Sequence, residues 1–180
     1  MSEKQQNPWI EGLQTIGLSI VLALGIRQFV AEARFIPSGS MIPTLQIDDR
    51  LVVEKISYRF NPPKRGDIIV FEAPQAALDA VKSSTKDAYI KRVIGLPGET
   101  IEIKDETVFI DGTPLEEAYI NAPPTYTWGP KTVPENEYLV LGDNRNSSSD
   151  GHIWDFLPND NIIGRAVVRF WPPQRIGGLD

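Results

Sequence analysis

The 180-residue chain reads as all-β: an antiparallel coiled or barrel-like β domain preceded by one N-terminal transmembrane helix. Three observations carry that reading. The 15 prolines and 14 glycines suit short strands joined by many turns rather than a helical fold. Seven short runs of β-branched and aromatic residues are each bounded by turn residues. One N-terminal stretch, from Gly12 to Ile26, holds 15 residues without a charge.

The chain divides into a tail at 1–11, a transmembrane anchor at 12–31 and a β domain at 32–180. The uncharged stretch alone is shorter than the roughly 20 residues a spanning helix needs. Continuing through Arg27 to Ala31 reaches that length if the Arg27 charge lies at the interface while its stem packs on apolar surface. Trp9 suits the interface on the other side. A cleaved secretory signal has a similarly short apolar core, but it needs a basic start, and Lys4 is offset here by Glu3. An amphipathic surface helix needs a polar face, which the segment from Leu18 to Leu24 lacks. The anchor is therefore the preferred reading, with the lipid bilayer as a partner. Charge does not orient it. Arg27, Arg34 and Arg50 follow the segment, but long domains translocate largely regardless of charge.

The predicted strands are Leu51 to Glu54, Ile68 to Phe71, Tyr89 to Ile94, Ile101 to Ile103, Val108 to Ile110, Tyr138 to Leu141 and Ala166 to Trp171. Alternation places Ile101 and Ile103 on one face, with Glu102 and Lys104 on the other. Asp111-Gly112 is a hairpin-turn signal, and Pro97-Gly98 and Asn61-Pro62-Pro63 mark further turns. Only Gln75 to Asp87 has helical composition, as a short helix or a loop insertion. Ala122 to Pro134 reads as a Pro-rich loop, and no internal repeat is visible.

The inventory of reactive groups excludes several chemistries. There is no cysteine, hence no disulfide framework and no thiolate nucleophile. The net charge of −6, without a long basic run, argues against a nucleic-acid partner. His152 is the only histidine and no H-E-x-x-H occurs, so neither a metal nor another cofactor is expected. No G-x-S-x-G elbow, P-loop or G-x-G-x-x-G is present. A serine nucleophile with a lysine base remains, and it needs a hydroxyl on a constrained turn and a lysine whose proton affinity is lowered by burial. Between Ile36 and Leu45, two serines lie between two prolines that stiffen the turn. In the apolar run from Tyr89 to Ile94, alternation puts Tyr89, Lys91 and Val93 on one face. A lysine on the core side is costly unless it is neutral or paired, and neutral lysine is what a general base requires.

Five features in order resemble the type I signal peptidases: the apolar N-terminal segment, PSGSMIPTL (37–45), RGDIIVF (65–71), YIKRVIGLPGE (89–99) and GDNRNSSSDGHIW (142–154). The resemblance covers nearly the whole chain. It implies a serine endopeptidase with a Ser–Lys dyad that removes signal peptides from exported pre-proteins after small residues at −1 and −3 (Ala-x-Ala). It implies Ser40 as nucleophile and Lys91 as base, with the Ser40 amide and the Ser38 hydroxyl as oxyanion donors. Ser148 is then the hydroxyl that orients the lysine ammonium. Asp143, Arg145 and Asp150 buttress the site, and Ile36 and Ile90 line the substrate pockets. The catalytic domain is expected on the outer, periplasmic or lumenal, side of the cytoplasmic membrane, or of a thylakoid membrane.

The chain departs from the family pattern in places. Gly151 and His152 stand where serine and arginine are common, so an Asp150 ion pair would pass through His152. Arg34 stands where some relatives have a bulky apolar residue. Three serines in a row, 147–149, leave the register of the lysine-orienting hydroxyl open; counting from Gly142 selects Ser148. Taken alone, Ser38 and Ser40 are turn residues, Lys91 is an edge-strand lysine facing water, and Ser147 to Asp150 is a polar loop. A Ser–His pair would require His152, and an aspartic dyad would pair Asp143 with Asp150, but Asp150-Gly151 lacks the neighbours expected of such a dyad. Two alternatives to a general peptidase remain: a maturation protease with a narrow client list, and an inactive membrane scaffold.

Overall fold

A computed structural model describes residues 8–82 and 88–179. The segment read as an anchor lies, up to Phe29, within one helix, α1 (Pro8–Phe29). Trp9–Phe29, at a mean hydropathy of 1.6, is long and apolar enough to cross a membrane, and no part of it is buried against the protein. The helix starts before Gly12 because Pro8 suits a first helical position. It stops before Ala31 because β1 (Ala31–Phe35) begins there, paired with β2 (Arg50–Glu54) from Ala31↔Glu54 to Phe35↔Arg50.

The remaining elements follow in chain order: β3 (Ile68–Glu72), α2 (Gln75–Val81), β4 (Ala88–Gly95), β5 (Thr100–Lys104), β6 (Thr107–Ile110), β7 (Thr113–Pro114), β8 (Trp128–Thr132), β9 (Glu137–Leu141), α3 (Gly151–Trp154), β10 (Leu157–Pro158), β11 (Ile162–Trp171) and β12 (Gly177–Gly178). Each of the seven predicted strands is present. The segment read as helix or insertion is a helix through Val81, and its stretch at 83–87 lies outside the described residues. Five strands lie where none was expected: β7, β10 and β12 are two residues each, and two are longer. β1 occupies the polar sequence AEARF, and β8 sits inside the Pro-rich segment, held by Thr100↔Thr132 and Ile103↔Trp128 pairing to β5. Pairing partners rather than local composition make these two strands.

The strands form two antiparallel sheets. The larger has the order β1-β2-β11-β3-β4-β9-β10, with β12 on β11, and the smaller is β7-β6-β5-β8. Neither closes on itself among the described residues, so the coiled or barrel-like expectation resolves into open sheets. Ile94, Leu139 and Leu141 of the large sheet share a core with Ile101, Ile103, Val108 and Trp128 of the small one. A second core, of Ile36, Met41, Leu45, Leu51, Val53, Ile68, Val70 and Ile90, lies beneath the segment that follows β1. β4 therefore has apolar cover on both faces, and every residue from Ile90 to Gly95 is buried.

The β2–β3–β11 centre leaves no room for larger side chains at one point. A Cβ on Gly164 would lie 2.1 Å from the Glu54 carbonyl oxygen. Gly164→Ala should destabilise the domain by about 1–3 kcal/mol, read as a lower urea midpoint with an unchanged slope.

Candidate active site

The segment between β1 and β2 is a turn pinned from below. Met41 and Leu45 have no exposed surface, and the Leu45 amide donates to the Met41 carbonyl at 2.9 Å while the Ile42 amide donates to Gly39 at 3.2 Å. Burying Met41 directs the neighbouring Ser40 outward into a cleft of about 660 Å³, lined among others by Arg34, Ile36, Ser38, Val70, Ile90, Lys91, Ser147 and Ser149. The turn is also held from above. Asn144 donates its amide N–H to the Ser40 carbonyl at 3.0 Å and its side-chain N–H to the Gly39 carbonyl at 3.0 Å.

Lys91 enters from β4, whose register sets Ile69 opposite Lys91 and Ile68 opposite Arg92. Its side chain is buried, with 4% of its surface exposed. Nζ donates to Ser40 Oγ at 2.8 Å and to the Ile90 carbonyl at 2.9 Å, and lies 5.7 Å from the Tyr89 ring centroid. Burial lowers the lysine pKa from 10.5 to about 8, against the opposing pull of the Asp150 and Asp143 charges. Ser38 Oγ lies 3.4 Å from Ser40 Oγ, on the same side of the turn.

The supporting residues separate into three arrangements. Asp143 is fully buried and accepts from Arg92 Nε at 2.8 Å, Arg92 Nη2 at 2.7 Å and Thr44 Oγ1 at 2.5 Å. Arg145, also buried, pairs with Glu117 at 2.6 and 2.5 Å. Asp150 accepts from the Gly142 amide at 2.8 Å and from His152 Nδ1 at 2.7 Å. The Asp150–His152 pair therefore forms, with the imidazole stacked on Tyr126 at 4.1 Å between centroids.

Ser148 does not make the contact expected of it. Its Oγ is buried without a hydrogen-bond partner, against the Gly142 α-carbon, where an added Cβ would meet it at 2.3 Å and the Ser40 carbonyl at 2.5 Å. The second lysine bond goes to the Ile90 carbonyl instead. Ile36 and Ile90, with 2% and 8% exposure, line the cleft.

Arg92, Thr44, Glu117, Asn144 and Tyr126 were not anticipated from sequence. Arg92 carried a signal, as a second cation inside an apolar run. Glu117 carried none: its partner is 28 residues away and only the fold joins them. No cluster of His, Cys, Asp or Glu able to hold a metal occurs among the described residues.

A serine hydroxyl bonded to a buried lysine, in a cleft of an antiparallel β domain, is the arrangement of a serine hydrolase with a lysine base. Residues 9–171 match the family described as signal peptidase, peptidase S26. A signal peptidase I of Leptolyngbya laminosa is 63% identical over 176 residues, covering 98% of this chain and 86% of the relative. The probable signal peptidase I-2 of a Synechocystis species is 54% identical over 174 residues, covering 97% and 78%. Thylakoidal processing peptidase 1 of Arabidopsis thaliana is 39% identical over 160 residues, covering 88% of this chain and 47% of that protein. The chain belongs to the signal peptidase family, peptidase S26, and is a serine endopeptidase carrying an apolar helix suited to membrane anchoring.

The Asp143–Arg92 pair is buried, with 0% and 6% side-chain exposure. Asp143→Asn leaves the guanidinium uncompensated and should cost about 3–5 kcal/mol, measured as a fall in thermal midpoint of the detergent-solubilised protein.

Proposed function

We propose that this chain is a membrane-anchored signal peptidase I that removes signal peptides from exported pre-proteins, cutting after small residues at −1 and −3. Its catalytic domain works on the outer, periplasmic or lumenal, side of the cytoplasmic or a thylakoid membrane. The observation that carries this reading is the 2.8 Å bond between Ser40 Oγ and a buried Lys91 at the wall of an apolar cleft. The cyanobacterial and chloroplast relatives support it.

The substrate lies extended between two sheet edges. β1 ends the large sheet, and β9 pairs with β4 only from Arg92 onward, which leaves the β9-side edge of Ala88 to Lys91 without a strand partner among the described residues. A peptide there adds strand-type hydrogen bonds. Ile36 and Ile90 make the pocket walls shallow and apolar, which suits alanine-sized side chains.

Neutral Lys91 takes the Ser40 proton as Oγ attacks the scissile carbonyl. The Ser40 amide and the Ser38 hydroxyl stabilise the developing oxyanion, each such donor typically giving about 2.7–4 kcal/mol. Lys91 then returns the proton to the leaving amine, and water repeats the sequence on the acyl-enzyme. Ser148, whose buried hydroxyl has no competing partner, is assigned to orient the ammonium. Asp143, Arg145 and Asp150 hold the surrounding backbone.

The test is cleavage of a purified pre-protein in detergent, with product N-termini sequenced. Wild type should cut after a small residue, while Ser40→Ala and Lys91→Ala each leave no detectable cleavage by a still folded domain. Activity surviving Lys91→Ala would remove the dyad mechanism. A folded wild type that cuts no pre-protein would favour a scaffold.

The pH dependence follows from the lysine. Its pKa of about 8 means that the base is mostly protonated below that pH. The value of kcat/KM should therefore rise about tenfold per pH unit up to about 8 and level off above it. A profile flat between pH 6 and 9 would contradict a titrating Lys91.

A further inference from the structure

Three largely buried carboxylates support the candidate site, and their cations differ in kind. Asp143 is paired with Arg92 and Glu117 with Arg145, and a guanidinium does not lose its proton in a protein. Asp150, with 0% side-chain exposure, has His152 instead, whose ring Nδ1 lies 2.7 Å from Oδ1. The His152 amide donates to the same oxygen at 3.1 Å, and Oδ2 takes the Gly142 amide at 2.8 Å. Among the described residues no lysine or arginine forms an ion pair with Asp150. Histidine is the side chain that changes charge between about pH 5 and 8, and this one, at 18% exposure, can exchange its proton with water.

The other charges around the imidazole are engaged elsewhere. The ring stacks on Tyr126 at 4.1 Å. Glu117 and Arg145, which act on Tyr126, pair with each other. Of the elements packed against α3, α2 carries Asp79, which is bonded to Gln75 at 2.8 Å. β9 carries Glu137, which forms no ion pair among the described residues. Asp155, at the end of α3, pairs with Lys131 at 2.5 Å.

Asp150 reaches the Ser40–Lys91 pair in two ways. Its bond to the Gly142 amide fixes the backbone that packs on the Ser40 carbonyl. Its charge opposes the effect of burial on Lys91 and draws the lysine toward the protonated form. We infer that His152 is a positioning residue for this pair, one that holds Asp150 as an imidazolium in acid and so frees Lys91 to be the neutral base at a lower pH than an unpaired Asp150 would allow. The inference rests on the peptidase reading of Ser40 and Lys91. The sign follows from charge. A proton on His152 offsets the Asp150 carboxylate and disfavours the proton on Lys91, so the two sites titrate as a coupled pair. In acid the neutral fraction of Lys91 is raised by a constant factor, and above the range where His152 titrates that factor is lost. The tenfold rise per pH unit that Lys91 would give alone therefore becomes shallower where His152 loses its proton.

The test compares the full chain in neutral detergent with His152→Gln, neutral at every pH, and His152→Arg, charged at every pH. Cleavage of a purified pre-protein is measured as kcat/KM from about pH 5 to 9.5, the span across which histidine and a buried lysine titrate, and each profile is scaled to its own alkaline plateau. The Lys91 13Cε chemical shift, assigned by its loss in Lys91→Ala, follows the lysine directly without turnover. At about pH 5.5 wild type should retain roughly three- to tenfold more of its plateau rate than His152→Gln, and His152→Arg should match wild type there. Above neutrality wild type should join the His152→Gln curve while His152→Arg stays ahead of both until the plateau. The Lys91 resonance should titrate at a lower pH in His152→Arg than in His152→Gln. If the scaled profiles of wild type and His152→Gln superpose, or those of the two variants do, the assignment is overturned, because a merely structural histidine lowers every point by one factor. If His152→Gln does not fold, wild type and His152→Arg decide alone, since they must coincide in acid and part above neutrality. If no pre-protein is cut but the Lys91 resonance titrates in the stated order, the peptidase reading fails and the His152 assignment stands.

Discussion

The removal of one lysine from water is the constraint around which the site is built. An ammonium in an apolar interior is costly, and the protein lowers that cost by weakening the proton affinity rather than by a direct carboxylate partner. Lys91 Nζ bonds to a hydroxyl and a carbonyl, while the carboxylates that act on it, Asp150 and Asp143, are engaged elsewhere. Their fields pull toward the charged form and burial pulls away from it. The balance leaves an amine with a pKa of about 8, the property a general base needs. A carboxylate in direct contact would tip that balance and leave a permanently protonated lysine.

Keeping the carboxylates near but occupied requires partners of their own. Arg92 is the next residue after Lys91 in β4, so alternation sends its side chain to the opposite face, where it takes both oxygens of Asp143 and stacks 4.0 Å from the Tyr119 ring centroid. Asp150 is held by the Gly142 amide and His152. Asp143, Arg145 and Asp150 all follow β9: Asp143 ties this short stretch to β4 and Arg145 ties it to Glu117, while Asp150 closes the stretch on itself through the Gly142 amide. The turn bearing Ser40 is bound into the same network through Thr44 and Asn144. Gly142 is needed where these meet, because the Ser40 carbonyl and Ser148 Oγ occupy the space of any Cβ. Buried networks of this kind hold a single arrangement only when their members are satisfied, and here the charged members are.

The parts of this design written in local pattern could be read from sequence. The seven predicted strands follow from β-branched runs and turn residues, and Lys91 showed itself as a charge on the apolar face of a strand. The turn bearing Ser38 and Ser40 was marked by its prolines. What could not be read depends on contacts distant in sequence. AEARF has no strand signal, and it is a strand because Arg50–Glu54 pairs with it. Trp128–Thr132 carries a glycine and a proline, yet it pairs with β5. The Glu117 partner of Arg145 and the Tyr126 partner of His152 lie in the Pro-rich side of the small sheet, whose docking only the packed structure reveals. Ser148 shows the limit of register counting. The position was inferred from spacing, and its hydroxyl lies against Gly142 without a hydrogen-bond partner.

The apolar helix is joined to this site through its capped C-terminal end. The last carbonyls of a helix lack partners of their own, and cations are favoured there by the helix dipole. Lys55 Nζ donates to the Arg27 carbonyl at 3.1 Å, Arg59 Nη2 to the Phe29 carbonyl at 3.2 Å, and the Lys55 amide to the Val30 carbonyl at 2.8 Å. Arg59 also lies over the Phe29 ring at 5.9 Å. The helix end is thus fixed to the turn after β2, and β1 leads at once to the turn bearing Ser40. A chain advances at most about 3.3–3.6 Å per residue, so the short connection from Phe29 to Ser40 keeps the hydroxyl within about 40 Å of the helix end. The same strand that transmits this tether forms one wall of the cleft. The helix cap therefore fixes where the cleft and Ser40 stand relative to the apolar helix.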